Sequence, residues 1–216
     1  MQTKQYVSLI RACSLYQDAL WVAESEPNLS WLLLVSSVET AANQVYTSAG
    51  SADEVLREAD PVLVGMLETS GGAELVANVA KQIGHMMRAT KKFLEFVNHF
   101  MPNEPTTRPD EQWNRVDWTQ AGLKTLVRKV YSYRSRSLHD GIPFPVPMLE
   151  PPYYRTPESC ASEVPLKGLS SHSKGGTWLP DDLPMNLHCF HYIARGALIK
   201  WWMHMAEPSR AASPTA

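Results

Sequence analysis

The sequence predicts an all-α fold, a bundle built on long amphipathic helices. Apolar residues recur at spacings of three and four over most of the chain, which is the periodicity of one helix face. Stop signals such as Asp140 followed by Gly141 separate these stretches. With 216 residues, of which 44% are hydrophobic and 19% charged, the chain can bury a substantial core. We therefore expect a single helical domain over residues 1–205 and a disordered tail over residues 206–216.

The first two predicted helices form an antiparallel hairpin. An apolar stripe runs over residues 4–24, and Pro27 interrupts it because proline cannot continue a helix. Asn28 can cap a second helix that runs to about Ser48. Because the link is short, the two helices should pack side by side as half of a bundle. The apolar stripe of the first helix consists of Tyr6, Leu9, Ile10, Cys13, Tyr16, Leu20 and Trp21.

Residues 51–116 add extra helices and a loop. Ser51 and Glu54 have the spacing of a capping box, which marks a helix start. Two short helices are expected from there to the glycine pair at 71–72. One longer helix should follow to about residue 101, and the loop after it is rich in proline and threonine.

The helix after this loop carries the residues that point to function. Asp117 and Gln120 have capping-box spacing at its start, and His139 lies in its last turn. Arg134 falls in the middle of the apolar stripe, where a guanidinium keeps its charge and needs an anion or a polar cavity. We expect Arg134 either to contact an anionic ligand or to form a buried structural ion pair. The stripe consists of Leu123, Val127, Val130, Tyr131 and Leu138.

Glu39 is the candidate to face Arg134. It lies at the edge of the apolar stripe of the second helix, in the run Ser-Val-Glu-Thr-Ala-Ala. The alternative is an ordinary carboxylate at the boundary of the core.

The charge of the chain is patterned locally. The formal net charge is −2, so the protein as a whole has no field that would attract nucleic acid. The stretch from Trp118 to Leu138, however, contains no acidic residue. It is either a site for RNA phosphates or a solvated helix face. Its basic residues are Lys124, Arg128, Lys129, Arg134 and Arg136.

The last part of the chain combines an irregular segment with a closing helix. Residues 142–184 are studded with proline, and the portion at 142–152 should pack beside Arg134 and His139 because it leaves directly from them. The closing helix is expected from Met185 to Met205. It carries Leu187, Phe190, Ile193, Ala194, Ala197, Leu198 and Trp201 on its inward side.

Cysteine usage and hydropathy indicate a reducing cytoplasm. Cys13, Cys160 and Cys189 are odd in number and far apart, which argues against a disulfide framework. We expect no signal peptide and no membrane-spanning segment, because the early apolar stretch is interrupted by Arg11 and the longest strongly apolar run is short. We also expect no cofactor and no metal. The cluster of His188, Cys189 and His191 lacks the second close pair of ligands that zinc sites show.

The run Arg134-Ser-Arg-Ser-Leu-His139 resembles the motif of HEPN domains, an Arg and a His separated by four to six residues. Its setting is similar to theirs too, because the motif ends a long helix with an aromatic residue before the Arg and a glycine after the His. The resemblance extends to the paired helices at residues 5–49 and to the closing helix. It does not cover residues 51–116 or 142–184, so it implies a HEPN-like bundle with additional helices and a long proline-rich loop.

This resemblance implies a metal-independent endoribonuclease in which Arg134 and His139 are catalytic. Such domains act as homodimers with a shared cleft on RNA, often as toxins paired with an antitoxin or a nucleotidyltransferase, or as effectors of antiviral defence. Arg136, Lys124 and Arg128 would contact the RNA backbone. Glu39, Ser135 and Asp140 would support the site, and Ser135 occupies a position where many members carry another polar residue such as Asn or Asp.

The chemistry of RNA cleavage explains why a dimer would be needed. Attack by a 2′-hydroxyl needs a base, an acid and a cation, and one His per chain supplies only one proton-transfer group. On a straight helix Arg134 and His139 lie about 140° apart, so they share a face only if the helix ends or distorts between them. The alternative function is a catalytically inactive HEPN scaffold that binds RNA, a nucleotide or a partner protein.

Overall fold

The computed structural model describes residues 3–46, 51–166, 171–173 and 176–206. These residues are mostly helical, which confirms the prediction of an all-α fold at the level of fold class. The elements in chain order are α1 (Thr3–Trp21), α2 (Pro27–Val45), α3 (Ala52–Ala59), α4 (Pro61–His99), α5 (Gln120–His139), α6 (Val146–Leu149), β1 (Ser171–Ser173), β2 (Gly176–Trp178) and α7 (Leu187–Ala206).

Helices α1 and α2 form the predicted antiparallel hairpin. The Ser30 hydroxyl donates to the carbonyl of Ala19, and the Ser37 hydroxyl donates to the carbonyl of Ala12, both at 2.8 Å. Residues later in α2 therefore meet residues earlier in α1, as an antiparallel pair requires. Both serines are buried, so these bonds also satisfy hydroxyl groups that have lost their water.

The inward face of α1 differs from the prediction. The helix ends at Trp21 rather than at residue 24, and Leu9 is the single member of the predicted stripe that is fully buried. Ala12 and Ala19 complete the buried face, since their small side chains let the backbone of α2 approach closely enough for the serine bonds. Most of the larger apolar residues of the stripe are exposed, Trp21 to 87%, whereas Tyr16 is half-buried and packs against the core.

The main core lies where α2, α4, α5 and α7 meet. Trp31 at its centre stacks on Phe144 and Phe190, with ring centroids 5.1 and 5.3 Å apart. The predicted inward face of α7 is confirmed except at Leu187, which is half-buried. The buried members of that face are Phe190, Ile193, Ala194, Ala197, Leu198 and Trp201.

Helix α4 bends at the predicted glycine pair. Gly71 and Gly72 have non-helical backbone angles, and Gly72 has φ +66° and ψ −166°, a region that is essentially reserved for glycine. The part of α4 before and just after the bend packs on α3 around a second, smaller apolar cluster. This cluster comprises Leu56, Val64, Val76 and Ala80.

Residues 142–184 contain more regular structure than predicted. Helix α6 forms one turn with proline near its start, where the missing amide hydrogen is not needed. It is anchored because the Trp31 indole donates to the carbonyl of Met148 at 3.0 Å. Strands β1 and β2 pair in an antiparallel hairpin that sequence periodicity did not indicate.

Ala206, expected to begin the tail, is instead the last residue of α7, and the rest of the predicted tail lies outside the described residues. Among the helices that the structure describes, none combines the length and the apolar character needed to cross a membrane.

The bend in α4 generates a matched pair of glycine substitutions. Gly72→Ala should lower the free energy of unfolding by about 1–3 kcal/mol, because alanine is strained at this backbone conformation. Gly65→Ala, in a regular and open part of the same helix, should raise it by about 0.5–1 kcal/mol. Urea denaturation followed by circular dichroism measures both values. Equal effects of the two substitutions would contradict the assigned bend.

Candidate functional site

Helix α5 positions the motif residues and is regular over its whole length. Thr119 caps its start, because the Thr119 hydroxyl accepts a hydrogen bond from the backbone N–H of Gly122 at 3.1 Å. The predicted cap, Asp117, instead accepts from the backbone N–H of Thr119, so the helix starts later than its capping-box spacing suggested. At the other end, Asp140 follows His139 as the capping residue, and Gly141 adopts φ +67°.

Arg134 and Glu39 form an ion pair between α5 and α2, as predicted. A terminal nitrogen of Arg134 (Nη2) lies 2.5 Å from Oε2 of Glu39. The two side chains are only 19% and 15% exposed, so water screens the pair incompletely. The guanidinium carbon of Arg134 also lies 5.7 Å from the ring centroid of Tyr131. A charge inside an apolar interface is thereby matched by a carboxylate and an aromatic face.

Tyr131 belongs to the same cluster as Arg134 and Glu39, although its place in the apolar stripe of α5 predicts only an apolar role. Its hydroxyl donates to Oε1 of Glu39 at 2.7 Å, and its ring packs at 4.8 Å on Phe93 of α4. Burial, together with the charge of Glu39, raises the pKa of Tyr131 far above its ordinary value, so the hydroxyl stays a donor. The sequence does contain a sign of this role, because a buried tyrosine hydroxyl needs a hydrogen-bond partner and Tyr131 lies one turn before Arg134.

Glu39 does not use the full donor capacity of Arg134. The Arg134 Nε atom is buried and makes no hydrogen bond to any residue that the structure describes. A guanidinium carries five N–H donors, and a buried donor without an acceptor is costly. Glu39 therefore holds the Arg134 guanidinium in place, while the Nε–H of Arg134 has no acceptor among the described residues.

His139 lies on a different side of α5 from Arg134. It is exposed in the last turn, and the helix neither ends nor distorts before it. The two side chains are therefore about 140° apart around the helix axis and do not meet within one chain. Arg136 shares the side of His139, and its guanidinium carbon lies 5.6 Å from the ring centroid of Tyr133. Ser135 is half-buried, whereas Asp140 is exposed.

The basic side chains on the same side of α5 as His139 form a surface strip along the helix. Lys124 and Arg128 are exposed, and neither takes part in an ion pair within the described ranges. Lys129 differs, because its ammonium donates to the backbone carbonyl of Asp181. The strip on the His139 side is thus defined by Lys124, Arg128 and Arg136.

The first part of the proline-rich segment, predicted to pack beside Arg134 and His139, contacts both the last turns of α5 and the start of α2. The backbone N–H of Phe144 donates to the Asn28 side chain at 3.0 Å, at the opposite end of α2. Asn28 and Glu39 are roughly 16 Å apart along the helix axis. The segment touches α5 through Tyr133, whose ring centroid lies 5.9 Å from that of Phe144. Its contacts thus join the last turns of α5 to the start of α2 rather than surround the ion pair.

The histidines and the cysteine of α7 do not form a metal-binding group with other described residues. Cys189 is buried, and burial raises the pKa of its thiol. His191 instead hydrogen-bonds through Nε2 to the Tyr16 hydroxyl. Throughout the part of the chain that the structure describes, no three His, Cys, Asp or Glu side chains come together in a way that could hold a metal ion.

Comparisons with known proteins do not assign the chain to a family. No protein-family model matches it, and neither the curated proteins nor the solved structures include a match.

Removing the charge of Glu39 should cost stability. Glu39→Gln should lower the free energy of unfolding by about 1–3 kcal/mol, because it leaves a largely buried guanidinium without its counter-charge. Urea denaturation measures the change. Glu68→Gln is the matched control, since Glu68 pairs with Arg57 at the surface and its loss should leave stability nearly unchanged. Equal losses would show that the Arg134 pair is no stronger than a surface pair.

Proposed function

We propose that the protein is a metal-independent endoribonuclease of the HEPN type, with Arg134 and His139 as its catalytic residues. One observation carries the proposal. A single helix, α5, carries a guanidinium that is fixed by Glu39 and whose Nε has no hydrogen-bond partner among the described residues. The same helix ends in an exposed imidazole beside a basic strip.

The proposed reaction uses the 2′-hydroxyl of the RNA as nucleophile. A base takes its proton while the 2′-oxygen bonds to phosphorus, and an acid protonates the departing 5′-oxygen. The products are a 2′,3′-cyclic phosphate and a 5′-hydroxyl. An imidazole can accept or donate a proton near neutral pH and so suits either proton-transfer role, and Arg134 would stabilise the charge that develops on the phosphate. Lys124, Arg128 and Arg136 would position the RNA backbone.

A two-fold dimer supplies what one chain lacks. Arg134 and His139 diverge around α5, so one chain does not direct both groups at the same phosphate. Two copies related by a two-fold axis would present two of each group across a shared cleft, with one imidazole as base and the other as acid. The proposal includes this homodimer and its action on RNA in the cytoplasm. It also includes an antitoxin or nucleotidyltransferase partner in a toxin or antiviral-defence system.

A non-catalytic scaffold is the second candidate, and the ion pair itself favours it. Because Glu39 neutralises Arg134 and Tyr131 completes the contact, this cluster can be explained by helix packing alone. In that case α5 would serve to bind RNA, a nucleotide or a partner protein through the basic strip without cleaving it.

Cleavage of labelled RNA in the presence of EDTA tests the proposal. Wild-type protein should cut RNA but not DNA of the same sequence, because DNA lacks the nucleophile. His139→Ala should slow cleavage by about 100-fold or more, since it removes a proton-transfer group. His204→Ala is the matched control, because His204 is also an exposed histidine in the last turn of a long helix. It should cut at the wild-type rate.

Two results would contradict the nuclease. If wild-type protein neither cuts RNA nor slows the growth of cells that express it, the scaffold is favoured. If His139→Ala and wild type cut equally, the catalytic groups lie elsewhere in the chain.

A further inference from the structure

A cavity of about 660 Å³ lies between the α1–α2 connection, the α6 segment and the first turns of α7. This volume falls within the range of roughly 300–1,000 Å³ that is usual for small-molecule sites. None of its lining residues belongs to the cluster of Arg134, Glu39 and Tyr131 or to the basic strip on α5. The cavity is therefore separate from the candidate site on α5, and any role of the cavity is independent of the proposed nuclease activity.

The cavity combines apolar walls with an acidic rim. Leu20, Leu34 and Met148 are among the apolar residues that line it, and two exposed carboxylates, Glu24 and Glu150, also contribute. Among the described lining residues there is no Lys or Arg. An apolar molecule can enter such a space, and the two negative charges favour a cation over an anion.

Two histidines of α7 line the same cavity without adding positive charge. Burial lowers the pKa of His188 and of His191, and the nearby Arg195 lowers that of His191 further. The Nδ1 atom of His188 is buried and has no hydrogen-bond partner among the described residues, so a doubly protonated ring would leave an N–H unsatisfied. Both rings are therefore neutral near pH 7, and the acidic rim is not neutralised.

We propose that this cavity binds a small amphiphilic cation, with an apolar body against Leu34 and Met148 and a protonated amine at Glu24 and Glu150. Charge complementarity selects the amine, and the apolar walls select the body. His188 and His191 lie one turn apart at the α7 side of the cavity, which is also lined by Leu187.

Three probes that share an indole ring test the proposal by calorimetric titration. Tryptamine carries a positive charge, indole none and indole-3-propionate a negative one. Tryptamine should bind saturably and about tenfold more tightly than indole-3-propionate, as expected for a charge near two carboxylates at a surface. Carbon–proton NMR of the imidazoles should show that the resonances of His188 and His191 shift during the tryptamine titration, whereas those of His204 do not.

Charge variants separate the rim from the walls. The double variant Glu24→Gln, Glu150→Gln should weaken tryptamine binding by about fivefold or more and leave indole binding unchanged. Glu158→Gln, which removes another exposed carboxylate of the same proline-rich segment outside the cavity lining, should have no effect. The proposal is overturned if tryptamine does not saturate, if the anionic probe binds equally well, or if the double variant binds tryptamine like wild type.

Discussion

The ion pair between Arg134 and Glu39 is the constraint on which the arrangement of the site depends. A guanidinium in an apolar interface cannot give up its charge, so α5 has to dock on α2 where a carboxylate is available. Tyr131 donates to the other oxygen of the same carboxylate, and its ring packs on α4. Three helices are thereby held in one register, and this register also fixes which side of α5 is left for solvent.

The consequence for function follows from the regularity of α5. With Arg134 turned inward, an undistorted helix must carry His139 to the outer surface, beside the basic strip. The inward group is stabilised by packing, and the outward group is exposed to solvent. In the proposed nuclease these two groups lie on different faces of one chain, so a second copy of the protein would be needed for both to act on one phosphodiester. The cavity at the opposite end of α2 is lined by a different set of residues.

Sequence reasoning succeeded where a local pattern has a local physical cause. The inward face of α7 follows from apolar periodicity, and the break at Gly71 and Gly72 follows from the backbone freedom of glycine. The acidic partner of Arg134 follows from the burial of its charge. It failed where the outcome depends on a distant neighbour. The alanines of α1 are buried because α2 approaches them, and the hydroxyl of Tyr131 matters because of Glu39. Neither partner can be predicted from the sequence of the helix that carries the residue, because the partner lies on another helix.

The most direct measurement is an NMR titration with an uncleavable 2′-O-methyl RNA oligonucleotide. The guanidinium Nε resonance of Arg134 and the imidazole resonances of His139 are followed in the same samples. If both groups serve one phosphodiester site, both sets of resonances shift with a common midpoint. If the Arg134 resonance stays unchanged while the RNA saturates the protein, Arg134 has a purely structural role and the account of a shared catalytic site is wrong.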